Sequence, residues 1–198
     1  MKIVIIDYGA GNIQSIKFAI QRLGFEAVLS NDAEEIRQAD KVIFPGVGEA
    51  SSAMSKLKAT QLDKLIPKLN QPVLGICLGM QLMCGYCEEG NTQGLSIFDV
   101  NVLKFNNKVK VPQIGWNQIE QLKSDLFNGI NENEYMYLVH SFYVPLNANC
   151  IATTNYGITY ASALQKKNFY GVQFHPEKSS KAGEKVLENF LKLDIRRC

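Results

Sequence analysis

The side chains with chemistry to offer are one cysteine and one histidine–glutamate pair. Gly75-Ile76-Cys77-Leu78-Gly79 sets a cysteine between glycines, after the apolar run Pro72-Val73-Leu74 and before a helical pattern at Met80–Met83. A glycine-flanked nucleophile at a strand-to-helix turn is a nucleophile elbow, here with sulfur in place of a serine oxygen. The turn is so sharp that side chains flanking the nucleophile would strike neighbouring backbone. The following helix aims free N–H groups and its positive dipole end at the sulfur, which favours thiolate. Taken alone, the motif also fits a buried structural cysteine beside two turn glycines.

A base is the next requirement, and the chain has two histidines, His140 and His175. His175 follows an apolar run and has Glu177 two residues on, with Pro176 fixing the backbone between them. In an extended segment residues i and i+2 point to one side, so ring and carboxylate can hydrogen-bond. The other ring nitrogen is then free to take the thiol proton. The resulting thiolate–imidazolium pair attacks a carbonyl carbon. Donors for the intermediate's oxygen would be the N–H of Leu78 and an N–H from the loop Gly46-Val47-Gly48. By itself, His175 also fits a satisfied buried histidine at a strand end.

Strands and helices must bring these groups together. Lys2–Ile6 reads as a buried strand, followed by Asp7-Tyr8-Gly9-Ala10-Gly11-Asn12. Ile13, Ile16, Ile20 and Leu23 then recur at helical spacing, with Gly24 past the end. Asn12 is either a plain N-cap or an amide offered to a substrate or partner. The turn lacks the third glycine of a dinucleotide fingerprint, where Gln14 stands instead. Glu26–Leu29 reads as a strand, Ala33–Arg37 as a helix, and Lys41–Phe44 as a strand ending in Pro45-Gly46-Val47-Gly48. Helices over Ala53–Leu57 and Leu62–Leu69 lead to the elbow strand. This βαβαβα order means a parallel sheet covered on both faces, with the glycine loop at the carboxyl edge where ligands bind.

The second half is richer in short strands. Val100–Phe105 and Lys108–Val111 read as a hairpin turning at Asn106-Asn107. Gln113–Asn117 holds Trp116, the only tryptophan, and Tyr135–Val144 contains His140-Ser141-Phe142. Ile151–Thr154, Thr159–Leu164 and Tyr170–Phe174 follow as strands. A closing helix buries Val186, Leu187, Phe190 and Leu191, with Ser180 as its cap.

Composition narrows the classes. The chain's 198 residues suit one α/β domain over 1–198, without linker or repeat. A net charge of +2 argues for neither nucleic acid nor a membrane surface. No apolar run approaches the roughly 20 residues of a membrane span. The N-terminal strand meets a charge too early for a signal peptide, so a cytoplasmic protein is expected. Five cysteines at irregular spacing point to reduced thiols. Cys84-Gly85-Tyr86-Cys87 matches C-x-x-C, but at a helix end, where the dipole disfavours thiolate. No second pair completes a zinc site, and neither metal nor cofactor is expected.

Gly75–Gln81 with His175-Pro176-Glu177 resembles the triad (class I) glutamine amidotransferases, which hydrolyse glutamine to glutamate and ammonia. Several further motifs narrow the likeness: Asp7-Tyr8-Gly9-Ala10-Gly11-Asn12, Pro45–Gly48, Gly115-Trp116-Asn117, His140-Ser141-Phe142 and Gly171–Ser179. Together they resemble the HisH-type glutaminase subunits of imidazole glycerol phosphate synthases, end to end. Phe142 departs from a tyrosine that is also familiar there. The resemblance implies a three-layer α/β fold with a mostly parallel central sheet and a smaller antiparallel sheet. It implies L-glutamine as substrate, with Gln81, Glu89, His140, Ser141 and Phe142 in its binding site. It also implies a HisF-type (β/α)₈ cyclase partner, docked on Asn12, Trp116, Tyr137 and Lys178, that uses the ammonia in histidine biosynthesis. A paralogue feeding another synthase, a stand-alone γ-glutamyl hydrolase and a non-catalytic nucleotide-binding scaffold are the alternatives. The Cys–His–Glu set speaks against a scaffold, and the missing glycine against nucleotide.

Overall fold

All residues of β1 (Ile3–Ile6) are buried, so this strand lies inside a sheet covered on both faces. The computed structural model describes residues 1–9, 13–106 and 108–193, which leaves 10–12, Asn107 and 194–198 outside the description. After β1 come α1 (Ile13–Arg22), β2 (Ala27–Ser30), α2 (Ala33–Arg37), β3 (Lys41–Phe44) and α3 (Ala50–Ala59). Then follow α4 (Leu62–Leu65), β4 (Val73–Ile76), α5 (Leu78–Leu82), β5 (Cys84–Cys87), β6 (Thr92–Gln93) and β7 (Phe98–Lys104). The remainder is β8 (Gln113–Ile119), β9 (Glu134–His140), β10 (Phe142–Tyr143), β11 (Cys150–Asn155), β12 (Thr159–Lys166), β13 (Phe169–Val172) and α6 (Ser180–Lys192).

The central sheet has seven strands in the order β11-β12-β13-β4-β3-β1-β2. From β13 to β2 every pairing is parallel; β12 and β11 continue antiparallel. Successive strand residues face opposite sides. Val4, Ile6, Val42 and Phe44 pack with Ile36, Met54, Leu57 and Leu62 of α2, α3 and α4. Ile3, Ile5, Ile43 and Leu74 pack on the other face with Ile16 and Ile20 of α1 and Leu187 and Phe190 of α6. The expected α/β architecture with helices on both faces is what forms.

One pairing positions the chemistry. Strands β4 and β13 are parallel neighbours with Ile76 opposite Val172, so Cys77 and His175 leave the same sheet edge side by side. At the other end, the buried Asn168 side chain donates to Leu69 O at 2.8 Å and Gln71 O at 2.9 Å, fixing where both strands start.

Several expectations are corrected. Lys108–Val111 is not a strand: Asn106 Oδ1 accepts from Lys108 N at 3.0 Å in a side-chain turn, and β7 pairs with β5 and β10 instead of a hairpin partner. The smaller sheet is two: a mixed four-stranded one, β10-β7-β5-β6, and the antiparallel β8–β9 ladder. Cys84–Cys87 ends no helix but forms β5, parallel to β7. Helix α4 stops at Leu65 and tightens into a 3₁₀ turn over Ile66–Lys68, because Pro67 has no N–H for another α-turn. Ser180 is the first residue of α6 rather than its cap, and the cap position belongs to Ser179. No helix among the described residues is long and apolar enough to cross a membrane.

Candidate active site

Cys77 takes φ 54° and ψ −111°, a left-handed backbone in a residue with a Cβ. Such strain costs on the order of 1–3 kcal/mol and persists only where the surroundings enforce it. Here they do. The Cys77 N–H donates to Val172 O at 2.8 Å, tying the elbow to β13. A Cβ on Gly79 would collide with Phe44 O, and one on Gly75 would stand 2.9 Å from Met80 N. Both glycines therefore serve close backbone approach, as the spacing predicts. Cys77 is the N-cap of α5, as expected, but the helix has only five residues, so its help to the sulfur comes from local N–H groups more than from a long helix's dipole. Besides His175, two groups meet the sulfur. The thiol faces Val139 O at 3.7 Å, and Gln173 Nε2 donates to Sγ at 3.7 Å.

His175 is buried, and its backbone N–H donates to Tyr137 O at 2.9 Å. Its Nδ1 lies 2.9 Å from Glu177 Oε1, as expected, but the geometry behind this differs. The segment Pro176–Lys178 is a 3₁₀ turn, so the chain bends the carboxylate back under the ring instead of running extended. Ser179 Oγ holds the turn by donating to His175 O at 2.6 Å and accepting from Tyr137 N at 2.9 Å. That double engagement keeps Ser179 from capping α6 with its side chain. Burial disfavours the charged ring, but hydrogen bonds and charge from Cys77 and Glu177 outweigh it, and the His175 pKa rises to about 10. With Nδ1 taken by Glu177, Nε2 is the nitrogen left for Cys77.

His140 behaves in the opposite way. Burial, and secondarily the charge of His175, drop its pKa to about 4, although the Phe142 bond opposes this. The neutral ring donates from Nδ1 to Phe142 O at 2.7 Å and faces Tyr160 Oη with Nε2 at 3.2 Å. It braces the site wall and is no base.

Both histidines open on a cavity of about 350 Å³ that includes Val47, Gly48, Cys77, Leu78, Gln81 and Glu89 in its lining. Ser141, Phe142 and Lys178 also line it, so Lys178, expected at a partner surface, stands at the pocket rim. Glu89 Oε2 accepts from Ala50 N at 2.9 Å at the start of α3. Burial pushes the Glu89 pKa up, the Ala50 bond lowers it, and the Glu49 charge adds to the rise. A ligand cation arriving there would favour the carboxylate. Gln81 spends Nε2 on Phe142 O at 3.0 Å and Gln173 Oε1 at 2.9 Å, which leaves its carbonyl oxygen as acceptor. The pocket thus offers, in one lining, acceptors for an ammonium and a nucleophile for a carbonyl.

The glycine loop has a fixed end and a free end. A Cβ on Gly46 would meet Gly79 N at 2.6 Å, whereas Gly48 has φ +94° with nothing within 4 Å. Tyr8 Oη donates to Pro45 O at 2.9 Å and anchors the fixed end.

Trp116 and Tyr137 sit opposite each other in the β8–β9 ladder, rings 5.9 Å apart. The outward face of this ladder exposes Ile114 (63%), Trp116 (52%) and Tyr135 (50%), an apolar patch of the kind that marks a docking surface. Its inward face buries Met136, Leu138 and Ile119. Asn12 lies outside the described residues. Among the described residues no cluster could hold a metal, and Cys77, Cys84, Cys87 and Cys150 are free thiols. Burial pushes the thiols of Cys84 and Cys87 up, the latter to about 11, so burial rather than a helix end keeps this pair protonated. Sequence reasoning missed Gln173 and Val139 at the sulfur. The signal for Gln173 was a glutamine closing the apolar run Tyr170–Phe174, since buried amides need partners.

A family model described as glutamine amidotransferase class-I matches residues 4–193. Among curated proteins, imidazole glycerol phosphate synthase subunit HisH of Bacteroides fragilis is 54% identical, covering 98% of this chain and 100% of that protein. HisH of Haemophilus influenzae is 46% identical over 96% and 97%. Among solved structures, a putative GMP synthase protein from Thermoplasma acidophilum superposes with TM-score 0.76 at 22% identity, covering 96% of this chain and 92% of that one. A chain of PurLQS from Thermotoga maritima gives TM-score 0.73 at 16% identity, covering 96% and 97%. These last two likenesses concern the fold.

Proposed function

Because the chain belongs to the class-I glutamine amidotransferases, we propose that it is the glutaminase subunit of an imidazole glycerol phosphate synthase and passes ammonia to a HisF-type cyclase. The observation that carries the chemistry is the placement of Cys77 and the His175–Glu177 pair at adjacent strand ends, opening on one pocket.

Glutamine would enter with its α-ammonium toward Glu89 and the Gln81 carbonyl, and its side-chain amide over Cys77. The thiolate adds to the amide carbon, and the new oxyanion takes N–H bonds from Leu78 and the Gly46–Gly48 loop. The His175 imidazolium protonates the amide nitrogen, the C–N bond breaks, and ammonia leaves a γ-glutamyl thioester on Cys77. Neutral His175 then takes a proton from water as its oxygen attacks the thioester. Glutamate leaves, the sulfur recovers its charge and the ring its proton. Glu177 holds the ring throughout.

The exposed Ile114–Trp116–Tyr135 face suits the cyclase. Tyr137, beside Trp116, has its backbone bonded to both His175 and Ser179, so a partner pressing there bears directly on the base. The loop supplies a gate. With Gly46 wedged and Gly48 free, a peptide plane between them can turn at little steric cost. One orientation offers an N–H to the oxyanion and the other a carbonyl. Gly48→Pro fixes φ near −65° and deletes an N–H. It should leave glutamine binding intact and lower stimulated turnover by about 10²–10³-fold. Equal turnover in Gly48→Pro and the unsubstituted complex would remove the loop from the oxyanion site.

The test of the whole reading is glutaminase turnover of the isolated chain, of the chain with a HisF-type partner, and of that complex with the cyclase's nucleotide substrate. Near-silence alone and strong stimulation in the complex are expected. Full activity from the isolated chain would move the reading to a stand-alone hydrolase.

A further inference from the structure

We propose that Gln173 is a further catalytic residue whose side-chain amide donates a hydrogen bond to the Cys77 sulfur and holds it as thiolate. The proposal rests on the reading of Cys77 as nucleophile. Gln173 is fully buried just past the end of β13, and its backbone N–H donates to Ser162 O at 2.8 Å. Its Nε2 is 3.7 Å from Cys77 Sγ, an ordinary N–H···S distance.

What gives this contact direction is a relay of amides. The Phe142 carbonyl can only accept, and Gln81 bonds it through Nε2 at 3.0 Å. The other N–H of the same Gln81 nitrogen points at Gln173, 2.9 Å away, so the facing Gln173 atom is its carbonyl oxygen. The amino end of Gln173 is therefore turned to the sulfur. Inverting Gln81 would set oxygen against oxygen at Phe142, and inverting Gln173 alone would set N–H against N–H. A His140 Nδ1–H bond to the same Phe142 oxygen, at 2.7 Å, fixes the start of the relay. Glutamine here suits an acceptor of variable charge. A buried amide without partners is costly, and both ends of this one are used.

The need for such a donor follows from the short α5, which leaves the thiolate little help from a helix dipole. As the S–C bond to the glutamine amide carbon forms, the charge leaves sulfur for the carbonyl oxygen and the Gln173 bond weakens. When water has added and the C–S bond breaks, the electron pair returns to sulfur and Gln173 receives it. The residue thus supports the sulfur as nucleophile and later as leaving group.

The test is the pH dependence of Cys77 alkylation by iodoacetamide in the full chain, with the labelled residue located by mass spectrometry. A Cys198→Ser background removes the terminal thiol. Burial pushes the Cys84, Cys87 and Cys150 thiols up, so they stay protonated near neutral pH. Gln173→Leu should raise the thiolate titration midpoint by about one pH unit, a tenfold loss of alkylation rate below the midpoint. Gln173→Glu, which keeps the shape and brings an anion to the sulfur, should raise it further and guards against a leucine variant that fails to fold. A midpoint unmoved in a folded variant, with the label on Cys77, overturns the role of Gln173 and leaves the nucleophile standing. A label absent from Cys77 in the unsubstituted chain overturns the nucleophile reading instead.

Discussion

Replacing Cys77 by alanine is expected to abolish glutamine-dependent turnover while leaving the partnered synthase able to use ammonium salts. The sulfur forms the only covalent bond to substrate in the proposed cycle, and no neighbouring group can stand in for it. Cys84 is the next thiol in the chain, but it sits in β5 with its Sγ on Met80 O at 3.6 Å, away from the pocket lining. The partner's own chemistry needs ammonia from any source, so only supply is lost. The substitution removes a side chain from a strained elbow without adding volume, and the fold should survive. Normal glutaminase activity in Cys77→Ala would end the account; loss of ammonium-dependent turnover as well would point to a damaged interface.

The second large effect is at the base. His175→Ala removes the group that transfers the proton, a loss of about 10²–10⁴-fold. Glu177→Gln should cost less. Its Oε1 can still accept the Nδ1–H bond, and Oε2 is buried without a hydrogen-bond partner, so placing an amide there breaks no bond. The pH profile separates orientation from charge. The Glu177 carboxylate is among the groups that raise the His175 pKa to about 10, so in the unsubstituted enzyme the imidazolium persists to high pH and kcat/KM falls only near pH 10. Removing that negative charge lowers the folded pKa, so in Glu177→Gln the alkaline fall moves to lower pH. A profile unchanged in Glu177→Gln, or a loss equal to that of His175→Ala, contradicts the assigned role.

Much of this site was legible because its parts are local in sequence. Gly75-x-Cys77-x-Gly79 carries its own geometric demand, since the Phe44 carbonyl fits only where Gly79 has no Cβ. His175 and Glu177 are two residues apart and meet whether the segment is extended or, as found, turned in a 3₁₀ helix. The parts that were not legible depend on distant partners. The strand Cys84–Cys87 runs parallel to Phe98–Lys104, a pairing that no local pattern announces, and its run on from Met80–Met83 mimics one helix. The β-branched Val109 and Val111 imitate a strand, but the Asn106 side-chain turn takes the backbone elsewhere. Ser180 imitates a cap because Ser179, the residue at that position, is claimed by His175 and Tyr137 from another strand. Gln81 and Gln173, ninety-two positions apart, meet only once β4 and β13 are neighbours.

The central claim is that glutamine is opened on Cys77 under the control of His175. A glutamine analogue bearing a diazoketone in place of the amide tests it most directly, because it alkylates only the nucleophile over which the substrate amide is held. Incubated with the complex and followed by peptide mass spectrometry, it should label Cys77 stoichiometrically, with glutamine protecting and His175→Ala slowing the reaction. Label on Cys84 or Cys150, or labelling of Cys77 that glutamine does not slow, would contradict the account.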